Sequence, residues 1–271
     1  MKLLGLIRYY SLYLYYLIVG RKDLVWKYYR KYAKNFSLDD SKLVLFSGGS
    51  EEGKLAIHNN SWGSYKLKTK EYLQYILRNK GEYGWLFNPP LNQKGVLGYP
   101  AIVHGGSGWG MLTKSDCFPI EVYKLHEFKI YFDIKLITDK LKHNLTFDFW
   151  IVDRVTGTKL CEIMVWEDYQ VARPYGKRKS SKGEYIITSG YLDKTHEPND
   201  EIGWDFVAFR RKKRRTKGEI NVLKLLNEAV SCGAIPQRYL RENIMGVELG
   251  TEVYSSVGLC IVEEFNISTK F

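Results

Sequence analysis

Two glutamates in this chain stand where a carboxylate is costly to keep charged. In Cys161-Glu162-Ile163-Met164-Val165-Trp166, strand alternation sets Cys161, Ile163 and Val165 on one face and Glu162, Met164 and Trp166 on the other. The run from Gly246 to Tyr254 repeats the design, with Val247, Leu249 and Val253 opposing Glu248, Glu252 and Tyr254. A carboxylate among aromatic and apolar neighbours resists ionisation, which makes Glu162 and Glu252 candidates for acid/base chemistry. Glutamates on the solvent face of a half-buried strand show the same alternation, so the pattern by itself leaves both readings open. Metal and redox chemistry have less support. The four cysteines, Cys117, Cys161, Cys232 and Cys260, form no C-x-x-C pair, and the five histidines are scattered singly. No metal and no cofactor are therefore expected, and the disulfide state is left open.

The same alternation supplies companions for the glutamates. From Asn144 to Ile151 the apolar face is Leu145, Phe147, Phe149 and Ile151, leaving Thr146, Asp148 and Trp150 opposite. Between Ile57 and Trp62, the residues His58, Asn60 and Trp62 align. Tryptophans with carboxylates and amides suit a polysaccharide cleft, since rings stack on the apolar faces of sugars while polar groups take the hydroxyls.

The elements that must position these residues are mostly strands. The chain has 271 residues, 45% hydrophobic and 26% charged, enough for one large domain with a proper core. Aromatic residues reach 15%, which favours strands. Strand patterns are read at Lys42 to Phe46, Leu55 to Trp62, Tyr83 to Phe87, Gly98 to His104, Glu127 to Ile137, Asn144 to Val152, Leu160 to Trp166, Tyr185 to Leu192, Asp205 to Arg210, Gly246 to Tyr254 and Leu259 to Ile267. One main helix is expected at Ile220 to Ser231, closed by Gly233. Strands without βαβ alternation predict an all-β fold, an antiparallel jelly-roll sandwich with a concave substrate cleft.

Two stretches depart from this. Residues 1–36 are apolar and Tyr-rich up to Gly20 and then basic, a pattern that fits a signal, a membrane anchor or an interfacial helix, or else an amphipathic helix packed on the domain. The expected organisation is this helical segment followed by a sandwich domain over residues 37–271, in a protein that is extracellular or anchored facing outside. Net charge is +11, concentrated in Arg210 to Arg215 and Lys177 to Lys179. Such runs are expected to be solvated loops, with nucleic-acid contact as the alternative.

The quoted segments resemble glycoside hydrolase family 12, the small β-jelly-roll endo-β-1,4-glucanases. Asn59-Asn60-Ser61-Trp62-Gly63 is similar to the family's N-N-x-W-G, Gly98 to Gly105 to its Y-P-E-I-I-Y-G, and Asn144 to Trp150 to its N-L-x-Y-D-L-W. Glu162 to Trp166 resembles E-I-M-I-W with Pro174 and Gly176 following, Phe206-Val207-Ala208 the F-V-A strand, and Gly250-Thr251-Glu252 the closing G-T-E. The resemblance runs from about residue 55 to the C-terminus. His104, Ala101 and Glu167-Asp168 depart from it, as does the basic run. It implies Glu162 as nucleophile, Glu252 as general acid/base and Asp148 as the nucleophile's carboxyl partner. It also implies a cleft that includes Asn60, Trp62, Met164 and Pro174, to which the alternation adds Trp166, Trp150 and His58. The implied activity is retaining endo-β-1,4-glucan hydrolysis by a monomer with a β-glucan partner. Two other classes compete: a non-catalytic polysaccharide-binding sandwich, and a structural or nucleic-acid-binding jelly roll using the basic loop. A lectin needs neither glutamate, and a basic loop has no use for a carboxylate cleft.

Overall fold

The computed structural model describes residues 21–39, 43–45, 55–63, 67, 72–79, 82–91, 95–193 and 203–271. The apolar run from Leu3 to Gly20 and the turn at Ser47 to Ser50 lie outside the described residues. The chain opens with helix α1 (Arg21–Tyr32) and then runs through strands β1 (Ser37–Asp39), β2 (Leu43–Leu45), β3 (Leu55–His58), β4 (Leu73–Asn79), β5 (Glu82–Asn88), β6 (Ala101–Gly105) and β7 (Ile120–Glu121). It continues with β8 (Glu127–Thr138), β9 (His143–Val152), β10 (Lys159–Gln170), β11 (Lys177–Ser180), β12 (Tyr185–Leu192), β13 (Trp204–Arg211) and β14 (Lys217–Asn221). Helix α2 (Val222–Ser231) and strands β15 (Asn243–Gly250) and β16 (Gly258–Lys270) complete the set. The Asn221 side chain accepts from the Lys224 N–H and caps α2, which explains why the helix begins two residues later than its apolar spacing suggests.

Two sheets face each other. One has the order β1-β4-β5-β16-β8-β14; the other runs β11-β12-β13-β10-β9-β15-β6-β3-β2, with β7 paired to β15. The predicted jelly-roll sandwich is what forms, and its pairs are antiparallel apart from β10 and β13, which run parallel. The core between the sheets takes the expected faces: Leu145, Phe147, Phe149 and Ile151 from β9 and Cys161, Ile163 and Val165 from β10, against Trp85, Phe128, Phe132 and Cys260 of the facing sheet. Strand β9 is buried at every position because its second face is covered too, by the floor of a cleft.

The outer face of the six-stranded sheet is also covered. Leu24, Val25, Ala33 and Phe36 pack on Leu77, Leu86, Leu259 and Ile261. Among residues 21–36, then, apolar surface is spent on the sandwich, as an amphipathic helix packed on the domain would spend it. No helix among the described residues is long and apolar enough to cross a membrane.

The basic run is a solvated loop only at its centre, where Lys212, Lys213 and Arg214 are exposed. Arg210 and Arg211 end β13, and Arg215 turns back so that its Nε donates to Glu167 Oε2 at 2.5 Å. Arg211 Nε lies 3.7 Å from the same oxygen, and the Tyr185 hydroxyl donates to Glu167 Oε1. Glu167 is fully buried on the core side of β10, so this cationic clamp answers a carboxylate that water cannot reach. Lys177 to Lys179 likewise form a strand, β11, whose exposed cations guard the sheet edge. Removing one partner of a buried pair strands the other, so Arg215→Met is expected to cost roughly 3 kcal/mol, the low end for such a break because Arg211 remains. Urea unfolding checks this; restoration by adding Glu167→Gln is the expected control, and an unchanged midpoint for the single variant would contradict it.

Candidate active site

The cross-strand register places the carboxylates side by side on the face away from the core. Asp148 on β9 pairs with Met164 on β10 and with Glu248 on β15, and Glu162 pairs with Trp150, one step along the same face. Glu162, Asp148 and Glu248 thus belong to three adjacent strands. Glu252 lies beyond the end of β15, where the chain stays extended and Val253 bridges to Gly98 and His143. A cleft of about 380 Å³ opens over this face, and Asp148, Glu162 and Glu252 all line it.

Each carboxylate has its own support. The Trp204 indole N–H donates to Glu162 Oε2 at 2.9 Å. Trp204 is held in turn by Trp150, with ring centroids 5.2 Å apart and edge to face, and by the Lys159 ammonium 4.8 Å above its ring. Gly108 belongs to the same packing: a Cβ there would sit 2.1 Å from the Trp150 ring, so any side chain would displace it. Glu252 is fixed from two directions by Asn144, whose Oδ1 accepts from the Glu252 N–H at 2.9 Å and whose Nδ2 donates to Oε2. The Tyr254 hydroxyl donates to the same oxygen at 3.1 Å. Thr251, just before it, is pinned by the Trp85 indole N–H at 3.1 Å, tying the loop to the core.

Their ionisation follows from these surroundings. Burial pushes Glu252 up to about 7, against the opposing pull of Asn144, Tyr254 and the Lys142 cation. Asp148 is raised well above the carboxylate range by burial and then by the charges of Glu162, Glu248 and Glu252. Glu248 is raised to about 8 by burial and by Glu162, an effect that the nearby Gly108 N–H offsets only in part. Neither Glu248 oxygen closes a hydrogen bond among the described residues, as a neutral acid can tolerate and a buried anion cannot. All three shifts therefore favour the protonated forms over the ionised ones.

Glu248 gives a direct test. Between about 4.5 and 8 the folded state keeps a proton that the unfolded chain has lost, so this group's contribution makes stability fall as pH rises, by about 1.4 kcal/mol per pH unit. Glu248→Gln removes the penalty. At pH 8 it is expected to gain on the order of 4 kcal/mol, a rise in Tm of roughly 8–16 °C, with little difference at pH 4. Thermal melts over that range decide the matter, and a variant less stable than the parent at pH 8 would mean that Glu248 is ionised and paired.

Of the residues expected in the cleft, Asn60, Trp62, Met164, Trp166 and Pro174 line it beside the three acids. Two do not. Trp150 is 1% exposed and lies behind the cleft, backing Trp204, because the Gly108 segment and Trp109 cover its face. His58 lies on the cleft side of β3, where it pairs with Ala101, but it is outside the lining, and burial lowers its basicity. The structure adds Tyr99, Trp109, Arg173, Tyr175, Phe206 and Tyr254 to the walls, and Trp204, Asn144 and Glu248 behind the acids. Alternation already places Glu248 and Tyr254 on the face of Glu252. Trp204 and Asn144 carry no local signal, since each meets its glutamate from a distant strand. Among the described residues no cluster of histidine, cysteine or acid side chains could hold a metal ion, and the four cysteines are free.

The jelly roll that carries this site is the fold of the family 12 glycoside hydrolases. The family 12 xyloglucanase from Bacillus licheniformis superposes with a TM-score of 0.73 at 22% identity, covering 87% of this chain and 99% of that one. Endoglucanase Cel12A from Rhodothermus marinus gives 0.64 at 21% identity, covering 85% and 99%, and endoglucanase 3 of Trichoderma harzianum 0.63 at 15%, covering 87% and 98%. At these identities the likeness is one of fold. No protein-family model matches the sequence, and no curated protein does.

Proposed function

We propose that this chain is a glycoside hydrolase that cuts internal β-1,4 bonds of a glucan with retention of anomeric configuration. The observation that carries the reading is the pairing of Glu162 and Glu252 in one cleft under opposite constraints. Glu162 accepts an indole N–H, which favours a carboxylate, whereas burial holds Glu252 up to about 7, which favours the acid. In this mechanism Glu162 attacks the anomeric carbon while Glu252 gives its proton to the departing oxygen, leaving a glycosyl ester on Glu162. Glu252, now ionised, takes a proton from water, whose oxygen displaces Glu162 and restores both groups. Asp148, one cross-strand step from Glu162 and pushed toward the protonated form by burial and then by the neighbouring acids, serves to limit charge build-up at the nucleophile as the ester forms and breaks.

The fold likeness supports the same class, and the xyloglucanase among the similar structures extends the candidate substrates to xyloglucan. Trp62 and Trp109, each partly exposed at the cleft, are suited to stack on sugar faces. A polymeric substrate of this kind places the work outside the cell. Incubation with a soluble mixed-linkage or β-1,4-glucan should release reducing ends together with a rapid drop in viscosity, the mark of internal cleavage. Stable binding without new reducing ends would identify a polysaccharide-binding sandwich instead.

A further inference from the structure

One cross-strand row leads from the acids to a cationic end of the cleft. Met164 pairs with Ala208 on β13, Ala208 with Thr188 on β12, and Thr188 with Arg178 on the edge strand β11. Paired residues share a face, so Arg178 lies on the cleft side of the sheet, exposed and, like Arg210, beyond the lining of the cleft itself, four strand spacings or roughly 19 Å from Asp148. In the next row Trp166 pairs with Arg210. The Arg210 guanidinium stacks 5.2 Å from the Tyr169 ring, and its Nε is buried with no hydrogen-bond partner. Arg173 lines the cleft itself.

The neighbouring acids are already engaged. Glu167 is held by Arg215 and Arg211, Glu184 by Arg211, and Asp168 faces His143 at 3.5 Å. Arg214 donates only to neutral oxygens, those of the Tyr169 carbonyl and Gln170. Among the described residues no carboxylate pairs with Arg173, Arg178 or Arg210. Among the described residues, the lining at the opposite end of the cleft, at Asn60, Trp62 and Val96, is uncharged.

A neutral glucan has no use for three arginines without a carboxylate partner along one side of the cleft face, whereas a sugar carboxylate matches the planar donor fork of arginine. We propose that the β11–β13 end of the cleft is a subsite for a carboxylate-bearing sugar, so that the preferred substrate is an anionic β-glucan chain. This rests on the glucan-hydrolase reading and specifies its substrate class.

The experiment compares carboxymethyl cellulose with hydroxyethyl cellulose, two soluble β-1,4-glucans with anionic and neutral substituents respectively, on the full chain. At low ionic strength kcat/KM for the anionic polymer should exceed that for the neutral one at least fivefold. The ratio should collapse in 1 M salt, where the screening length falls to about 3 Å. The double variant Arg178→Gln, Arg210→Gln, with melting temperature as the folding check, should bring the low-salt ratio close to one through KM. A ratio that ignores both salt and the double variant overturns the proposal. Should neither polymer be cut, the hydrolase reading fails, while mobility in gels containing each polymer still shows whether the carboxylate is recognised. A single-stranded DNA oligonucleotide that binds with the same salt dependence and displaces the anionic glucan at lower concentration would overturn it in favour of a nucleic-acid surface.

Discussion

Replacing Glu162 by glutamine is expected to lower kcat on a β-glucan by ~10⁴-fold or more, the scale seen when a covalent nucleophile is removed. Glutamine keeps the shape, and its carbonyl oxygen still accepts the Trp204 indole N–H, so folding and substrate affinity should change little. The loss should therefore fall on kcat rather than KM. A leaving group that departs without a proton should not restore the rate, because what is missing is the attacking oxygen. The smaller Glu162→Ala variant leaves room for an external anion. With azide and an activated β-glycoside it should give the α-glycosyl azide, formed by a single displacement at the anomeric carbon. A Glu162→Gln protein within tenfold of the parent would remove Glu162 from the reaction.

The second large effect concerns Glu252 and separates acid from nucleophile. Glu252→Gln should reduce cleavage of the polysaccharide by about 10²–10⁴-fold, the usual worth of a positioned general acid. With a dinitrophenyl glycoside, whose phenolate needs no proton, formation of the glycosyl ester should be nearly normal. Its hydrolysis should be slow for want of a base, so a burst of phenolate and a lowered KM are expected. The pH profile follows from the same group. Glu252 is raised to about 7, and the reaction needs its protonated form, so the parent's kcat/KM on polysaccharide should fall tenfold per unit above roughly pH 7. That limb should vanish in the variant on the activated substrate. Its persistence would assign the limb to another group, such as Glu248.

How much of this was legible in the sequence depends on whether a contact is local. Alternation by twos is a local property, and it places Glu162, Asp148, Glu248 and Glu252 on one face, where the structure puts them. The same rule includes Trp150 and His58 without showing what lies over them. Trp150 is covered by Trp109 and the close approach of Gly108, both from a loop some forty residues away in the chain. Trp204 is separated from Glu162 by 42 positions and reaches it across a parallel pair, an arrangement that no pattern of single strands announces. The basic run is legible only in part for a related reason: its centre is the exposed loop the charges imply, but Arg211 and Arg215 answer a buried acid, and Glu167 is 48 positions from Arg215. Strands β4, β11 and β14 went unread because Gln74, Lys177 to Lys179 and the Lys217-Gly218-Glu219 sequence mask their alternation. The N-terminal segment reads as a signal or anchor ahead of a packed helix. Leu24 and Val25 favour packing for residues 21–36 only once Leu259 and Ile261 of β16 are seen beneath them.

The central claim is double displacement by Glu162 and Glu252, and the configuration of the first product tests it most directly. Proton NMR of a β-1,4-linked oligosaccharide, followed over the first minutes of hydrolysis, should show the β-anomeric doublet of the new reducing end appearing first and the α-anomer growing only at the rate of mutarotation. An α-anomer formed first would mean a single displacement by water and would contradict the assignment of Glu162 as nucleophile.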